Sequence, residues 1–597
     1  MRLSSIYTNK PKIFSRINFN EGFNIIFAKV KDPSKKNKDN HNLGKTFLIK
    51  VIDFALLADI DKDHLFRKKN DVFGEFVFFL EIETHSGKFI TIRRPTNIEE
   101  GISINIADEA RQDFSGLGEG GWTFNSLPLK KARNEVNNLL DLRVLGEYQY
   151  RKGLGYVLRT QADYNQVFRI SKFQFGKDEY WKPFVARILG FNEETILQKY
   201  RLEDKLKQKT SELGHFEAEA GSTSGEYDEL KGLLELAETS ADRLRNQLDA
   251  FSFREIEAEI NETLVLDIED EISKLNQRRY TIDYELKEIA KSLETELEFD
   301  IEKVQQLFRE VEVELPNHLI HSYEELIKFN ERMSFGRTKR LQELRSELVN
   351  ERQELEKSIQ RLDSERVEAL AFLQEKKTFE KFKRQQKELA KKEAEVIELS
   401  QRLKQLDKAT AIQEELNTTQ DEINTITKQI LESVRGENNT YRLIRTTFSE
   451  FVERILNVQA LLSVSVNKNG NLEFNVRTLD SKVAGRETEE GSGTSYRKIL
   501  CVCFDLALLS IYASEKFYHF AYHDGMFEGL DNRKKVNFLN LLRELCETKK
   551  IQHILTVIDS DLPRDEKDEK LLFSGKDIVK QLHDDGISGR LFKMSPF

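Results

Sequence analysis

The sequence predicts an α/β domain assembled from both ends of the chain and interrupted by a long antiparallel coiled coil. Three observations predict it. Residues 194–436 are densely charged, carry a seven-residue apolar repeat and contain one proline, Pro316. Ahead of them a strand-like run leads towards Gly44-Lys45-Thr46 and an apolar helix. Behind them an apolar segment closes on Asp524. Neither flank reads as a complete domain alone, and a coil that folds back on itself would bring the two together.

The totals set bounds. With 597 residues the chain is long enough for two or three domains. A net charge of -10 argues against a protein that coats nucleic acid along its whole length, while leaving room for a local basic patch. Cys501, Cys503 and Cys546 match neither a disulfide framework nor a zinc pattern, which is the usage expected in a reducing cytoplasm. The first ten residues alternate like a strand and lack the apolar core of a secretory signal. The longest apolar run, 499–513, is too short to span a membrane and holds Asp505. A cytoplasmic protein with no membrane segment is expected.

In chain order, Phe23-Asn24-Ile25-Ile26-Phe27-Ala28 reads as a strand, followed by a basic insert with Lys29, Lys31, Lys35, Lys36 and Lys38. Then come His41-Asn42-Leu43-Gly44-Lys45-Thr46 and an apolar helix. A strand, a loop and Gly-Lys-Thr at a helix start is the context of a phosphate-binding loop. Backbone N–H groups would face the phosphates, Lys45 would supply a point charge and the Thr46 hydroxyl would ligate Mg2+. The match is incomplete, because Asp39 stands where the first glycine of that motif falls.

Runs 76–83 and 89–94 around His85-Ser86-Gly87-Lys88 predict a hairpin, with Arg93 and Arg94 as solvated edge charges. The glycine-rich stretch 99–125 predicts a mobile loop. Gln161 lies between helical stretches, where a glutamine can reach a metal and an attacking water.

Within the coil, Ile268, Leu275, Ile282 and Ile289 keep heptad spacing, as do Leu341, Leu348, Leu355, Leu362 and Ala369, and then Phe382, Leu389, Val396 and Leu403. Residues 322–370 and 378–434 make arms of matching length, each about 75–85 Å at the helical rise. They predict an antiparallel hairpin with its apex near 371–378, or alternatively at Pro316. Beyond the coil, 461–466 and 472–476 flank Asn467-Lys468-Asn469-Gly470 as a second hairpin. Gly491-Ser492-Gly493-Thr494 opens a buried helix and offers a second anion-binding helix start. A strand ends at His523-Asp524, Gly529-Leu530-Asp531 follows, and a last strand runs into Asp559-Ser560-Asp561.

Two anion-binding helix starts, a strand-end carboxylate and a coil between them resemble the heads of the SMC and RecN-like branch of the ABC ATPases. Within that branch, the glycine-serine signature, the His523-Asp524 strand end and the Gly529-Leu530-Asp531 turn are similar to an uncharacterised bacterial group of SMC-like proteins. Such proteins are often encoded in multi-component, ABC-type anti-phage defence systems. The resemblance covers both flanks and the stretch 316–345. It implies an α/β ABC-type ATPase head built from N- and C-terminal segments, 1–193 and 437–597, around an inserted coiled coil, 194–436.

Residue by residue, the resemblance implies that Gly44, Lys45 and Thr46, with Asn42 beside them, hold ATP, and that Thr46, Gln161 and Asp524 hold Mg2+. Ser492 and Gly493 would cap the nucleotide of the opposite head, and Asp531 would be the D-loop aspartate. Two departures stand out. Gly525 occupies the position of the glutamate that normally follows the Walker B aspartate Asp524, and no histidine lies near Ile558, where the switch histidine would fall. His523, Glu528 or Asp559 would have to substitute, so ATP binding is expected with slow hydrolysis. The implied partners are a second copy through the heads, DNA, and further protein subunits of a defence or repair complex. The rival readings are a non-catalytic coiled-coil tether and an ATPase that senses a protein and never touches DNA.

Overall fold

The computed structural model describes residues 1–29, 43–60, 64–97, 99–170, 176–220, 226–249, 262–294, 318–369, 376–479, 493–564 and 573–595. The N-terminal part carries strands β1 (Arg2–Thr8), β2 (Ile17–Asn18) and β3 (Phe23–Lys29), helix α1 (Lys45–Ala55), then β4 (Val77–Glu83), β5 (Phe89–Pro95), β6 (Ile102–Ala107) and β7 (Phe124–Leu127). Helix α2 (Leu129–Leu140), strand β8 (Leu158–Arg159) and helix α3 (Lys182–Ile188) follow. Five long helices come next: α4 (Glu193–Ala220), α5 (Tyr227–Asp249), α6 (Glu262–Glu294), α7 (His318–Ala369) and α8 (Lys376–Arg435). The chain closes with α9 (Asn439–Leu456), β9 (Gln459–Val466), β10 (Leu472–Leu479), α10 (Thr494–Ile511), β11 (Phe520–His523), α11 (Asn532–Thr548), β12 (Gln552–Ile558) and β13 (Ile578–His583). Among the described residues no helix is long and apolar enough to cross a membrane.

The chain divides into two compact units, one formed by Met1–Asp204 with Asp421–Phe597 and the other by Lys205–Gln420. The first unit is composite. Its five-stranded sheet has the order β13-β3-β12-β11-β8, parallel throughout, so strands from before and after the insertion are interleaved within one sheet. The inner strands are buried along nearly their whole length, as a parallel sheet covered on both faces requires. Helix α10 is buried from Lys498 to Ser510, which explains an apolar run without amphipathic spacing. A six-stranded antiparallel sheet, β2-β1-β4-β5-β6-β7, completes this unit with the β9–β10 ribbon.

Both expected hairpins form, with Gly87 and Gly470 at positive φ in their turns. Two expectations are corrected. Arg94 is not a solvated edge charge. It is 3 % exposed and donates to the carbonyls of Phe54 and Ala58, capping the C-terminal end of α1, with its guanidinium 4.1 Å from the Phe54 ring centroid. The stretch 99–125 is not one loop, because it contains β6, paired to β5, with Ile102 and Ile104 buried. The flanking glycines hide a strand whose inward residues are correctly alternated.

The second unit is a set of antiparallel helix pairs. The heptad residues of α6 pack on those of α7: Ile268 and Leu275 with Leu362, and Ile282 and Ile289 with Leu341, Leu348 and Leu355. Arg278–Glu351 and Asp283–Arg352 ion pairs, at 2.8 and 2.7 Å, flank the seam. Helix α5 packs on α8 through Leu230, Ala237, Leu399 and Leu406, with Val396 and Leu403 alongside. The stripes are those the spacing predicts, but over its described heptads α7 packs on α6, not on α8 as a simple hairpin would have it. The α7–α8 connection, 370–375, falls where the main apex was expected and lies, like Pro316, outside the described residues. Near that end a polar layer joins three helices. Arg366 of α7 is 1 % exposed and donates to Glu269 of α6 at 3.0 Å, to Gln386 of α8 at 3.2 Å and to Asp363. Gln386 in turn donates to the Glu269 carbonyl at 2.8 Å.

Candidate functional site at the strand ends of the composite sheet

Open parallel sheets bind ligands outside the carboxyl ends of their strands, where the strand order reverses. Gly44, Lys45 and Thr46 after β3, Gln161 after β8 and Asp524 after β11 lie at that edge. After β3 the chain reaches Gly44, whose φ is +95° and whose Cα lies so close to the Leu591 side chain that an added Cβ would sit 2.8 Å from it. Leu591 also donates its N–H to the Leu43 carbonyl at 3.1 Å, so the C-terminal segment clamps the exit of the loop. Helix α1 begins at Lys45 with no acidic residue in its first turn, and a helix start of this kind favours an anion. Asn42 and the basic residues Lys31, Lys35, Lys36 and Lys38 lie outside the described residues, as does Ser492.

Strand β12 separates β3 from β11 and carries Thr556 between them. The Thr556 hydroxyl donates to Asp524 Oδ1 at 2.5 Å and accepts from the Gly525 N–H at 3.0 Å. Among the described residues, Asp524 Oδ2 is buried and has no hydrogen-bond partner. An unpaired buried carboxylate oxygen is costly unless something positive meets it. A magnesium ion fits this donor set, because Mg2+ is usually held by one or two protein oxygens together with substrate phosphates.

Gly525 has a φ of +68°, and an added Cβ would lie 2.6 Å from Gln161 Nε2. The register His523↔Arg159 between β11 and β8 brings Gln161 to this edge, just beyond Arg159. The Gln161 side chain therefore sits against the backbone at the position of the missing glutamate. Gly525→Glu is expected to displace Gln161 and to strain a left-handed residue, at about 1–2 kcal/mol for the backbone alone. It should leave ATP turnover no faster than in the unaltered chain. A steady-state ATPase assay beside a thermal melt checks this, and a gain of about tenfold would mean that the glutamate alone was lacking.

Helix α10 starts after Gly493 and is tied to the same edge. Lys498, 7 % exposed, donates to the Gly525 carbonyl and pairs with Glu528, both at 3.1 Å. Gly529, at φ +75°, leaves no room for a Cβ beside Ser495 Oγ. Asp531 caps α11 by accepting from the Lys534 N–H at 3.1 Å, and Lys534 Nζ bridges Asp531 and the Tyr496 hydroxyl at 2.9 Å each. The turn 529–531 and the first turn of α10 are thus held together.

His523 is placed differently from its neighbour Asp524. It has no solvent exposure; Nε2 meets Asp505 Oδ2 at 3.2 Å and Nδ1 meets His553 Nε2 at 2.9 Å. Burial holds its pKa down to about 3, so the ring is neutral and both nitrogens are engaged. One carboxylate of the site was missed. Asp561 lies in the turn Asp559–Asp561 that ends β12, half-buried. Burial raises its carboxyl pKa, and its electrostatic surroundings include Lys535, Glu528, Lys45 and Lys498. Asp559-Ser560-Asp561 was visible at the end of a strand, but nothing in the spacing singles out its second carboxylate.

Residues 451–596 match the model of a family described as an uncharacterised protein conserved in bacteria, DUF2326. That stretch contains Gly493, Asp524 and Asp531. No curated protein matches the chain. Among solved structures, the chain is similar to an Smc head domain with a coiled coil and joint derived from Pyrococcus yayanosii. The identity is 14 %, over 96 % of this chain and 98 % of that one, with a TM-score of 0.36. It is also similar to an Smc head domain with an extended coiled coil, bound to the C-terminal domain of ScpA, derived from Pyrococcus furiosus. Here the identity is 11 %, over 94 % and 90 % of the two chains, with a TM-score of 0.35. Likenesses at this level carry no inference about activity.

Proposed function

We propose that this chain is an SMC-like ABC ATPase whose composite head, 1–193 with 437–597, binds ATP and Mg2+ and dimerises around the nucleotide. One observation carries the reading. A Gly-Lys-Thr helix start and a buried carboxylate with one oxygen unpartnered among the described residues lie at the strand ends of one parallel sheet that both flanks of the insertion build. Lys45 and the N–H groups of α1 bind phosphate, Thr46 and Asp524 hold the metal, and Gln161 lies beside them. When bound, the magnesium ion neutralises charge on the phosphate oxygens. Gly493, at the start of α10, and Ser492, which precedes it in the sequence, cap the nucleotide of a second head. Without a glutamate at 525, the general base falls to Glu528, held by Lys498 with its side chain 66 % exposed, and hydrolysis is slow. A slow, nucleotide-closed dimer suits a DNA clamp or sensor in a bacterial defence or repair complex. The test is a nucleotide titration beside sizing by light scattering, with and without ATP and Mg2+. Dimers indifferent to nucleotide would favour the tether.

DNA engagement through the basic insert should be independent of sequence and steeply salt-dependent. Replacing Lys31, Lys35, Lys36 and Lys38 together with serine should weaken it and flatten the dependence on salt. Absence of DNA binding at low salt, with and without ATP, would leave the protein-sensing reading ahead.

A further inference from the structure

Behind the phosphate-facing edge, four side chains without solvent exposure form one hydrogen-bonded chain. Arg159, at the end of β8, grips Asp505 of α10 with Nε on Oδ2 at 2.5 Å and Nη2 on Oδ1 at 2.9 Å. Asp505 then meets His523 of β11, and His523 meets His553 of β12. The remaining donors of Arg159 turn the other way. Nη1 bonds to the carbonyl of Asp163 at 2.7 Å and Nη2 to that of Val167 at 2.9 Å. Those carbonyls belong to the segment just after Gln161, whose own turn is closed by Asp163 accepting from the Thr160 N–H and hydroxyl at 2.9 and 2.7 Å.

A guanidinium is suited to this because its donors form a rigid planar fork. Stability alone does not account for the pair. Enclosed ion pairs are commonly matched or bettered by apolar residues of similar volume, since the desolvation cost offsets the attraction. What an apolar pair could not do is fix the glutamine segment and α10 to each other through directed bonds.

We propose that Arg159 is a positioning residue whose bonds to Asp505 and to the carbonyls of Asp163 and Val167 couple Gln161 to α10, so that metal-bound ATP and the dimerising end of that helix respond as one. This rests on the ATPase reading above. In it, Arg159 holds the carbonyls of Asp163 and Val167 in the segment that follows Gln161, while α10 carries Gly493 as its N-cap and, in its first turns, Lys498, which bonds the Gly525 carbonyl. Displacement of Gln161 by ATP and Mg2+ is thereby felt at the dimerising end.

The experiment uses the full chain in three forms: unaltered, the apolar pair Arg159→Met with Asp505→Leu, and Asp505→Asn. ATP affinity is measured with and without MgCl2, and ATP-dependent dimerisation by light scattering. The unaltered chain should bind ATP and dimerise with it. Both variants should keep metal-free ATP affinity, which depends on Lys45, while the dependence of dimerisation on ATP and Mg2+ falls about tenfold, the size of an ordinary coupling between sites. The apolar pair, with a melting temperature like that of the unaltered chain, separates coupling from mere stability. A folded apolar pair that dimerises with ATP as the unaltered chain does overturns the proposal and leaves the ATPase reading standing. If that pair does not fold, Asp505→Asn decides, and unchanged coupling in it likewise overturns the proposal. No ATP binding by the unaltered chain overturns the ATPase reading, and the proposal with it.

Discussion

Lys45→Ala is expected to lower ATP affinity by about 30- to 150-fold, the equivalent of about 2–3 kcal/mol for a lost charge-assisted hydrogen bond. The fold should not suffer. Helix α1 is anchored by Leu48, Ile49, Val51, Ile52 and Phe54, all buried, and its far end is capped by Arg94. Alanine is the strongest helix former, so the helix start should persist. The loss should therefore appear as weaker binding at unchanged helicity and unchanged melting temperature. Titration with a fluorescent ATP analogue beside circular dichroism reads both quantities. Equal affinity in the two proteins would sink the phosphate-loop assignment, and with it the ATPase reading.

The second large effect is expected in the helical unit, at Glu269. Its side chain is 7 % exposed and accepts through both oxygens from Arg366 Nη1 at 3.0 Å. Burial raises the Glu269 pKa while Arg366 pulls it back down. Glu269→Leu leaves the guanidinium enclosed without its main counter-charge, and removing one partner of a buried pair costs about 3–5 kcal/mol. Asp363 remains beside Arg366 and should keep the loss towards the lower end. The double change Glu269→Leu with Arg366→Met should restore most of it, because apolar substitution of a whole buried pair is close to neutral. Urea unfolding followed by far-ultraviolet circular dichroism reports this transition, since the long helices dominate the signal. A double variant as unstable as the single one would mean that the layer matters for packing, not for its unpaired charge. In a heptad seam made of interchangeable leucines and isoleucines, one directed polar layer also selects the register.

The extent to which the sequence disclosed this arrangement follows from what each signal encodes. Heptad spacing encodes a face, and the buried stripes of α6, α7 and α8 are those read from the sequence. It does not encode a partner, so the packing of α7 on α6 was not legible. Local turn chemistry fixed both hairpins, through Gly87 and Gly470. The opposite failure came at β6, where glycines on either side outweighed two correctly spaced isoleucines. Arg94 and Arg159 escaped for a common reason. Only tertiary structure supplies the carbonyls that the first meets, or the carboxylate of Asp505, 346 positions away, that the second meets. Asp561 did not stand out because the cations around it, Lys45 and Lys498, come from distant segments.

The interleaved strand order has a consequence for how this protein is made. The pairing that closes the sheet joins β3 to β12, and Asn24 approaches His553 across 529 positions. At ordinary rates of synthesis β3 leaves the ribosome about 25–100 s before its neighbour exists. Throughout that interval the amino-terminal strands expose an unpaired parallel edge, the kind of surface on which nascent chains aggregate. The helical pairs of the second unit are shorter-range and assemble sooner, so they shorten the effective loop that must close before β3 meets β12. Completion of the strand-end edge that carries Asp524 is thus a late event in the life of each molecule, dependent on residues translated 529 positions after Asn24.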